Sequence, residues 1–472
     1  MKEQNSKANV MKAGIWYTIS TIMVKAMAVI STPILTRMMT KTDYGTATTF
    51  SSWNSLLLIV CSLNLGYSIG RAKQDFPGQF DRYIGSMQVL GSIVTGVLAL
   101  LSFVFIQPVS GFLELDSTCV IILFVYLWGG MIVSMQQNWY RYNYNYKQNI
   151  AITVYTAVST IVLSIILVAL CNEKKYIGRC LGLALPALAL GIAFTIGGIK
   201  NKRFCVNTTY WRYGLHLSIP LIIHTISLYI LGQSDRLFIA KICGQEATGM
   251  YSLAYQYATL ISLITNAVNE AWNPWFHDTY YDGKYDEIRK NVKPLIVFGC
   301  MLCIGAVALA PEAVLILGGR QYSECVPVIL PSALGILMQY LYTNYVIIEV
   351  HLKQVKFISI GTMTAAVCNL ILNAIFIPKY GYVAAAYTTL ACYGLLFVAH
   401  FVISRYVLKV HLYEDRFVFG CLILASGVCV GFSAMYSCNI ILRYVVLILL
   451  CVLYLVTNRK YVASVIKQFV KR

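Results

Sequence analysis

Charge is what this chain has least of. Aspartate, glutamate, lysine and arginine make up 12% of its 472 residues and hydrophobic types 58%, whereas about a quarter of a soluble domain is charged. A soluble globular protein is excluded; the composition is that of an integral membrane protein. Long connections are scarce as well. No external loop exceeds about a dozen residues, and no stretch has room for a nucleotide-binding domain or carries G-x-x-x-x-G-K-[ST], so no ATPase is encoded here. Paired carboxylates at glycosidase spacing, a nucleophile elbow, a metal-ligand cluster and H-E-x-x-H are all missing, and catalysis is not indicated. Cysteine is present, at 15 residues, but without a framework. Cys61, Cys119, Cys180, Cys368 and Cys451 stand alone in apolar runs, where cysteine acts as a small hydrophobe. Cys300 and Cys303 form a single C-x-x-C with no second pair, a poor basis for zinc or redox chemistry.

The basic residues that are present mark topology. A net charge of +18 is spread over short gaps between apolar runs rather than gathered in a patch, which argues against nucleic acid as a partner. Windows of about 20 apolar residues give about fourteen transmembrane helices, among them Ala13–Leu35, Ala47–Gly70, Ala247–Ala271 and Pro294–Leu317. The first run is too long for a signal peptide and lacks a small-residue cleavage site, so it is expected to be retained. With the amino terminus inside, 26 of the 37 lysines and arginines fall on the cytoplasmic side and 10 outside, which puts both termini in the cytoplasm. Asn207-Thr208-Thr209 matches a glycosylation sequon but falls on the cytoplasmic side.

The organisation expected is all-α, with two pseudo-symmetric six-helix lobes at 1–199 and 215–405 joined by a cytoplasmic linker at 200–214. Two further helices (406–458) and a basic amphipathic tail (459–472) follow, the tail lying on the anionic inner leaflet. A weak internal similarity supports the duplication: Lys41-Thr42-Asp43-Tyr44-Gly45-Thr46 corresponds to Gln245-Glu246-Ala247-Thr248-Gly249-Met250 at an offset of 204 residues. Two parallel six-helix repeats form a transporter architecture, with the site at mid-depth between the halves.

Within that frame a few polar residues stand out. Lys25 sits near the middle of Ala13–Leu35, roughly 18 Å from either end at 1.5 Å per residue, too far for its stem to reach water easily. An ammonium at that depth costs at least about 2.5–3.5 kcal/mol and belongs against a protein interior or a wet cavity. Thr18, Thr21, Thr32 and Thr36 share its face at helical spacing. In the seventh span His216, Pro220, His224 and Ser227 share a face; His224 serves equally as an interhelical hydrogen-bonding group or a cavity residue. In the eighth, Tyr251, Tyr255, Ser262, Asn266 and Asn269 form a stripe, with Glu270 beside it. Aromatic faces and amides suit a sugar-lined passage, though ordinary helix packing explains tyrosines too. Arg71 and Arg141, at cytoplasmic helix ends, have the geometry to hold a pyrophosphate by paired hydrogen bonds or simply to anchor the helices. Glu312 and Glu349 complete the ionisable groups near the spans.

Pro33-Ile34-Leu35-Thr36-Arg37, Asp43-Tyr44-Gly45, Ser52-Trp53 and Gln233-Ser234-Asp235-Arg236-Leu237 together resemble the bacterial oligosaccharide flippases of the Wzx type. These belong to the multidrug/oligosaccharidyl-lipid/polysaccharide exporter superfamily. The motif match is strongest from the start of the chain to Asp75 and weaker over Leu215–Pro274. The resemblance implies translocation of undecaprenyl-pyrophosphate-linked oligosaccharide across the bacterial cytoplasmic membrane, for O-antigen, capsule or exopolysaccharide. It implies alternating access around a cationic cavity, which Lys25 fits, with Asp235 or Glu270 binding a coupling cation. No cofactor is expected beyond a sodium or proton gradient; membrane lipids, a polysaccharide polymerase and chain-length machinery are the expected partners. A cation-coupled drug exporter, a lipid II flippase and a membrane polysaccharide polymerase remain as alternatives, the last of which should carry a large external loop.

Overall fold

In lipid a backbone must satisfy its own N–H and C=O groups, and for runs without strand pairing the helix is the one local solution. The computed structural model describes residues 27, 29–437 and 440–458, and among these it is helical almost throughout, with no strand. Lys25 and the basic tail at 459–472 lie outside the described residues. The helices are α1 (29–38), α2 (Lys41–Cys61), α3 (Gly66–Asp75), α4 (Phe80–Val104), α5 (Ile106–Leu113), α6 (Ser117–Tyr142), α7 (Tyr146–Leu170) and α8 (Lys175–Lys200). They continue with α9 (Thr208–Cys243), α10 (Gln245–Tyr281), α11 (Tyr285–Ala308), α12 (Ala310–Gly318), α13 (Val326–His351), α14 (Val355–Tyr380), α15 (Tyr382–Val402), α16 (Asp415–Ala434) and α17 (Ile440–Thr457).

Twelve stretches among the described residues are long and apolar enough to cross a membrane. The expected first span is described only in its second half. The expected eighth falls within α10, a 37-residue helix rich in tyrosine and amide side chains, which is not among the twelve. Two expected spans are interrupted. Ala47–Gly70 breaks after Cys61, where Leu63 and Asn64 take left-handed φ of 49° and 54° before α3 begins. Pro294–Leu317 breaks at Leu309, because Pro311 opens α12 with no N–H to continue the preceding ladder. The sequon's Asn207 is the N-cap of α9: its side chain accepts from Thr209 N at 2.9 Å and Tyr210 N at 3.2 Å.

The chain divides into two compact units. The first runs to Ser252 and includes Ile377–Tyr382. Its centre is α6, whose Leu123, Leu127 and Met131 are fully buried among side chains such as Phe50, Cys180 and Tyr83. On α7, by contrast, Tyr155, Val158, Val162, Ile166 and Leu170 stay exposed, an apolar face suited to lipid. The second unit comprises Leu253–Phe376 and the chain from Val383 on. Its centre is α13, packed with α11 and α16 around Leu337, Tyr340, Cys303 and Phe432. The C-x-x-C cysteines are core packing: Cys303 Sγ lies 3.9 Å from the buried Cys429 Sγ, and Cys300 is also buried.

Candidate functional site

In the first unit α2, α9 and the start of α10 meet along a polar seam. It follows from sequence: α2 carries Thr46, Thr48, Thr49, Ser51, Ser52 and Ser55, small hydroxyls on a helix whose start is set by Thr40 and Asp43. Thr40 Oγ1 accepts from Asp43 N at 3.0 Å, and the Asp43 carboxylate accepts in return from Thr40 N at 3.3 Å, a capping box. Short side chains let backbones approach. An added Cβ at Gly45 would stand 1.7 Å from Gln245 O, and one at Gly249 would stand 2.3 Å from Lys41 O.

These contacts are reciprocal. At the repeat offset Gly45 corresponds to Gly249 and Lys41 to Gln245, so each repeat's glycine meets the same carbonyl of the other repeat. The same offset relates Ser252 and Thr48, whose hydroxyls bond at 3.0 Å. The repeated motif therefore closes on itself, as an isologous contact does in a two-fold dimer. Around it, Thr49 Oγ1 donates to Gln245 Oε1 at 2.8 Å, Ser52 Oγ to Gln233 Oε1 at 3.2 Å, and Lys41 pairs with Glu246 at 2.7 Å.

Further along the seam, Arg236 Nη1 donates to Gln233 Oε1 at 2.8 Å and its Nε to Ser252 Oγ at 3.2 Å. Asp235 is buried and accepts from the Tyr251 hydroxyl at 2.5 Å. At the break between α2 and α3, Asn64 Nδ2 donates to Thr225 Oγ1 on α9 at 3.1 Å. Interrupted helices at membrane depth are tolerated where protein or a cavity takes up the freed groups. The amino-terminal part of α9 lines a groove of about 540 Å³ with Trp211, Arg212, Leu215, His216, Ile219 and Pro220, and Arg212 and His216 are exposed.

The residues singled out from sequence are distributed unevenly. Arg71 is exposed near the end of α3, 3.3 Å from Asp75, which also accepts from Tyr213 at 2.6 Å. Arg141 is exposed in the last turn of α6 and His224 is half-buried on α9. These three and Asp235 belong to the first unit, whereas Tyr255, Asn266 and Glu270 belong to the second. Tyr255 is buried; Asn266 and Glu270 are exposed. Arg236, Gln233, Asn64 and Arg212 were not picked out as site residues, although Gln233 and Arg236 lie in the quoted motif. An arginine three residues from a glutamine at helical spacing was the available signal. Among the described residues no group of three or more His, Cys, Asp or Glu side chains is placed to hold a metal ion.

Outside the spans, the fixed end of α6 is electrostatic. Asp116 accepts from the Tyr176 hydroxyl and pairs with Lys174 at 3.0 Å. Chiefly the tyrosine hydrogen bond, then the lysine, holds its carboxyl below the ordinary carboxylate range.

Residues 10–280 match a family profile described as polysaccharide biosynthesis protein. Over 66 residues the chain is 35% identical to Lsg locus putative protein 1 of Haemophilus influenzae, an alignment that spans 14% of this chain and only 16% of that relative. The fold is similar to lipid II flippase MurJ in an inward closed conformation, with a TM-score of 0.71 at 13% identity, over 95% of this chain and 100% of that one. It is also similar to an inward-facing multidrug resistance MATE family transporter of the MOP superfamily, with a TM-score of 0.64 at 11% identity, over 88% and 98%. The fold is thus shared with these solved proteins, and twelve of its stretches among the described residues are long and apolar enough to cross a membrane.

Proposed function

We propose a function from one premise: this chain belongs to the polysaccharide biosynthesis protein family. It is a flippase that moves undecaprenyl-pyrophosphate-linked oligosaccharide repeat units from the inner to the outer leaflet, for O-antigen, capsule or exopolysaccharide. The observation that carries this is the family match, which runs from residue 10 to residue 280 and so takes in the whole polar seam.

The physical demand of such a reaction is to shield a pyrophosphate at low dielectric while the lipid tail stays in lipid. The headgroup enters from the cytoplasmic side, and Lys25 with a basic residue at the entrance, Arg71 or Arg141, holds the phosphates. Arg212, exposed along the α9 groove, adds a donor of the same sign, and His216 beside it a further hydrogen-bonding group. His224, Tyr255 and Asn266 face the sugar, and Asp235 or Glu270 binds the coupling cation, sodium or proton. Rocking between inward and outward forms then delivers the headgroup outside, where a polymerase and chain-length machinery take over.

The test is lipid-linked glycan analysis in a strain lacking the protein. Intact undecaprenyl-linked units should build up on the cytoplasmic side and surface glycan should fall. Single units reaching the outer face unextended would point to a polymerase, and unchanged glycan to a small-molecule exporter. Lys25→Ala, made at normal protein level, should cut export; a normal rate would remove Lys25 from the mechanism.

A further inference from the structure

The second unit contains an ionisable pair that the flippase scheme above does not use. Glu349 lies near the end of α13 and His400 near the end of α15, in stretches apolar enough to cross a membrane. Both side chains have 0% exposure, and His400 Nδ1 stands 2.7 Å from Glu349 Oε1. The second atom of each group, Glu349 Oε2 and His400 Nε2, is buried without a hydrogen-bond partner. Two orphaned polar atoms on one fully buried pair are rare in a packed interior, where such groups are normally satisfied.

The orphaned nitrogen is closely surrounded. Tyr342 stacks on the imidazole with ring centroids 5.5 Å apart. On the far side Gly361 of α14 faces it: an added Cβ there would sit 3.3 Å from Nε2, with Leu396 also against it. The remaining titratable and charged groups of these elements are otherwise engaged or exposed. Arg405, just beyond α15, pairs with Asp415 at 3.2 Å; His351 meets His277 at 3.0 Å; Lys353, Lys356 and Lys379 are exposed. Tyr345 packs its ring on Phe397 and Tyr413, with its hydroxyl buried and unpartnered.

From this geometry we infer that Glu349 and His400 form a proton-binding site, taking up and releasing one exchangeable proton. A contact this short between Nδ1 and Oε1 contains one proton in every state. With that proton alone the pair is imidazole and carboxylate, net −1. A second proton makes it imidazolium and carboxylate, or the equivalent imidazole and carboxylic acid, net zero. A lone buried charge is costly and a compensated pair much less so. Exchange of the second proton requires water to reach Nε2 or Oε2. Any conformational cycle that opens and seals this end of α13 loads and unloads one proton. That this drives or gates transport rests on the proposed function; the site itself does not.

The experiment separates the two. Full-length protein is purified with ¹⁵N-labelled histidine, of which the chain has 6. His400→Gln identifies the His400 signals, and spectra are followed between about pH 5 and 9, the range in which histidine charge changes. The expected result is a His400 signal that gains and loses one proton across this range, and whose titration moves in Glu349→Gln and again in Gly361→Ala, which keeps both partners but crowds Nε2. A His400 signal fixed in one protonation state throughout, in all of these proteins, overturns the proposal. In cells, glycan export measured against pH should change by about tenfold or more across the range and flatten in Glu349→Gln at equal protein level. An unchanged profile in that variant overturns the coupling. If the protein proves not to move glycan at all, the histidine spectra still decide whether the proton site exists.

Discussion

The seam of the first unit and the dyad of the second are both polar contacts between apolar helices, yet they are built in opposite ways. Along the seam, most hydroxyls of α2 already have partners on their own helix: Thr46 donates to Thr42 O, Thr48 to Gly45 O, Ser51 to Ala47 O and Ser55 to Ser51 O, at 2.8–3.0 Å. Ser52 bonds both Thr48 O at 3.0 Å and Gln233 Oε1 at 3.2 Å. Parting these helices would leave these five hydroxyl donors satisfied through their own backbone, with Thr49 losing its bond to Gln245. Glu349 and His400 have no such alternative, because each already carries an orphaned atom and separation would add two more. A contact of hydroxyls and small residues can open and reform cheaply at membrane depth, whereas a buried ionisable pair must stay closed or meet water. The same contrast recurs at Arg443, which is buried against Glu312 in the second unit.

That comparison can be broken most severely at the dyad. Glu349→Ala removes one partner and strands the other; the expected destabilisation is about 3 kcal/mol, at the low end for a buried pair because imidazole can shed its charge. Thermal denaturation of the purified protein checks it, and a loss well under about 1 kcal/mol would mean the pair is solvated in the native state. Next in size is the backbone contact of the seam. Gly45→Ala places a methyl where Gln245 O already stands, and overpacking of this kind costs about 1–3 kcal/mol. Because the clash exists only while the seam is closed, the substitution should reduce export more than it reduces protein level. Ser52→Ala at the same seam is the control, with an expected loss of a few tenths of a kcal/mol, at the low end for one hydrogen bond; equal effects from Gly45→Ala and Ser52→Ala would refute the role given to the glycine. The smallest effect belongs to Asp116. Its folded-state carboxyl is held below the ordinary range, so its contribution is complete above the ordinary carboxylate pKa and is lost as pH falls through the folded value. Asp116→Asn should therefore narrow the stability difference between neutral and acidic pH, with little change in export at neutral pH.

Much of this was legible in the chain itself. The apolar runs, the scarcity of charge and the short loops together dictate a multi-pass helical protein, since lipid admits few other backbone solutions. The repeated K-T-D-Y-G and Q-E-A-T-G segments identify Gly45 and Gly249 as corresponding positions. Hydropathy says nothing, however, about where a long run breaks. Leu63 and Asn64 carry no proline, and the left-handed turn there is held by a side chain on another helix, Thr225. The candidate site was half legible for a similar reason. Asp235, Tyr251 and Tyr255 fall in segments that stand out in sequence. The group that ties Gln233 to α2 is Ser52, far away along the chain.

What the sequence determined alone is local: which segments are apolar enough to be helices, and which positions are small enough for close approach. These follow from composition and from spacing of a few residues, which one helix enforces by itself. Tertiary structure decided every pairing between helices. It brought each repeat's glycine against the other repeat's carbonyl, made Cys300 and Cys303 part of a core, and buried His400, an ordinary histidine in sequence, against Glu349. Such meetings depend on how side chains interdigitate across distant helices, and a linear order of residues does not contain that distance.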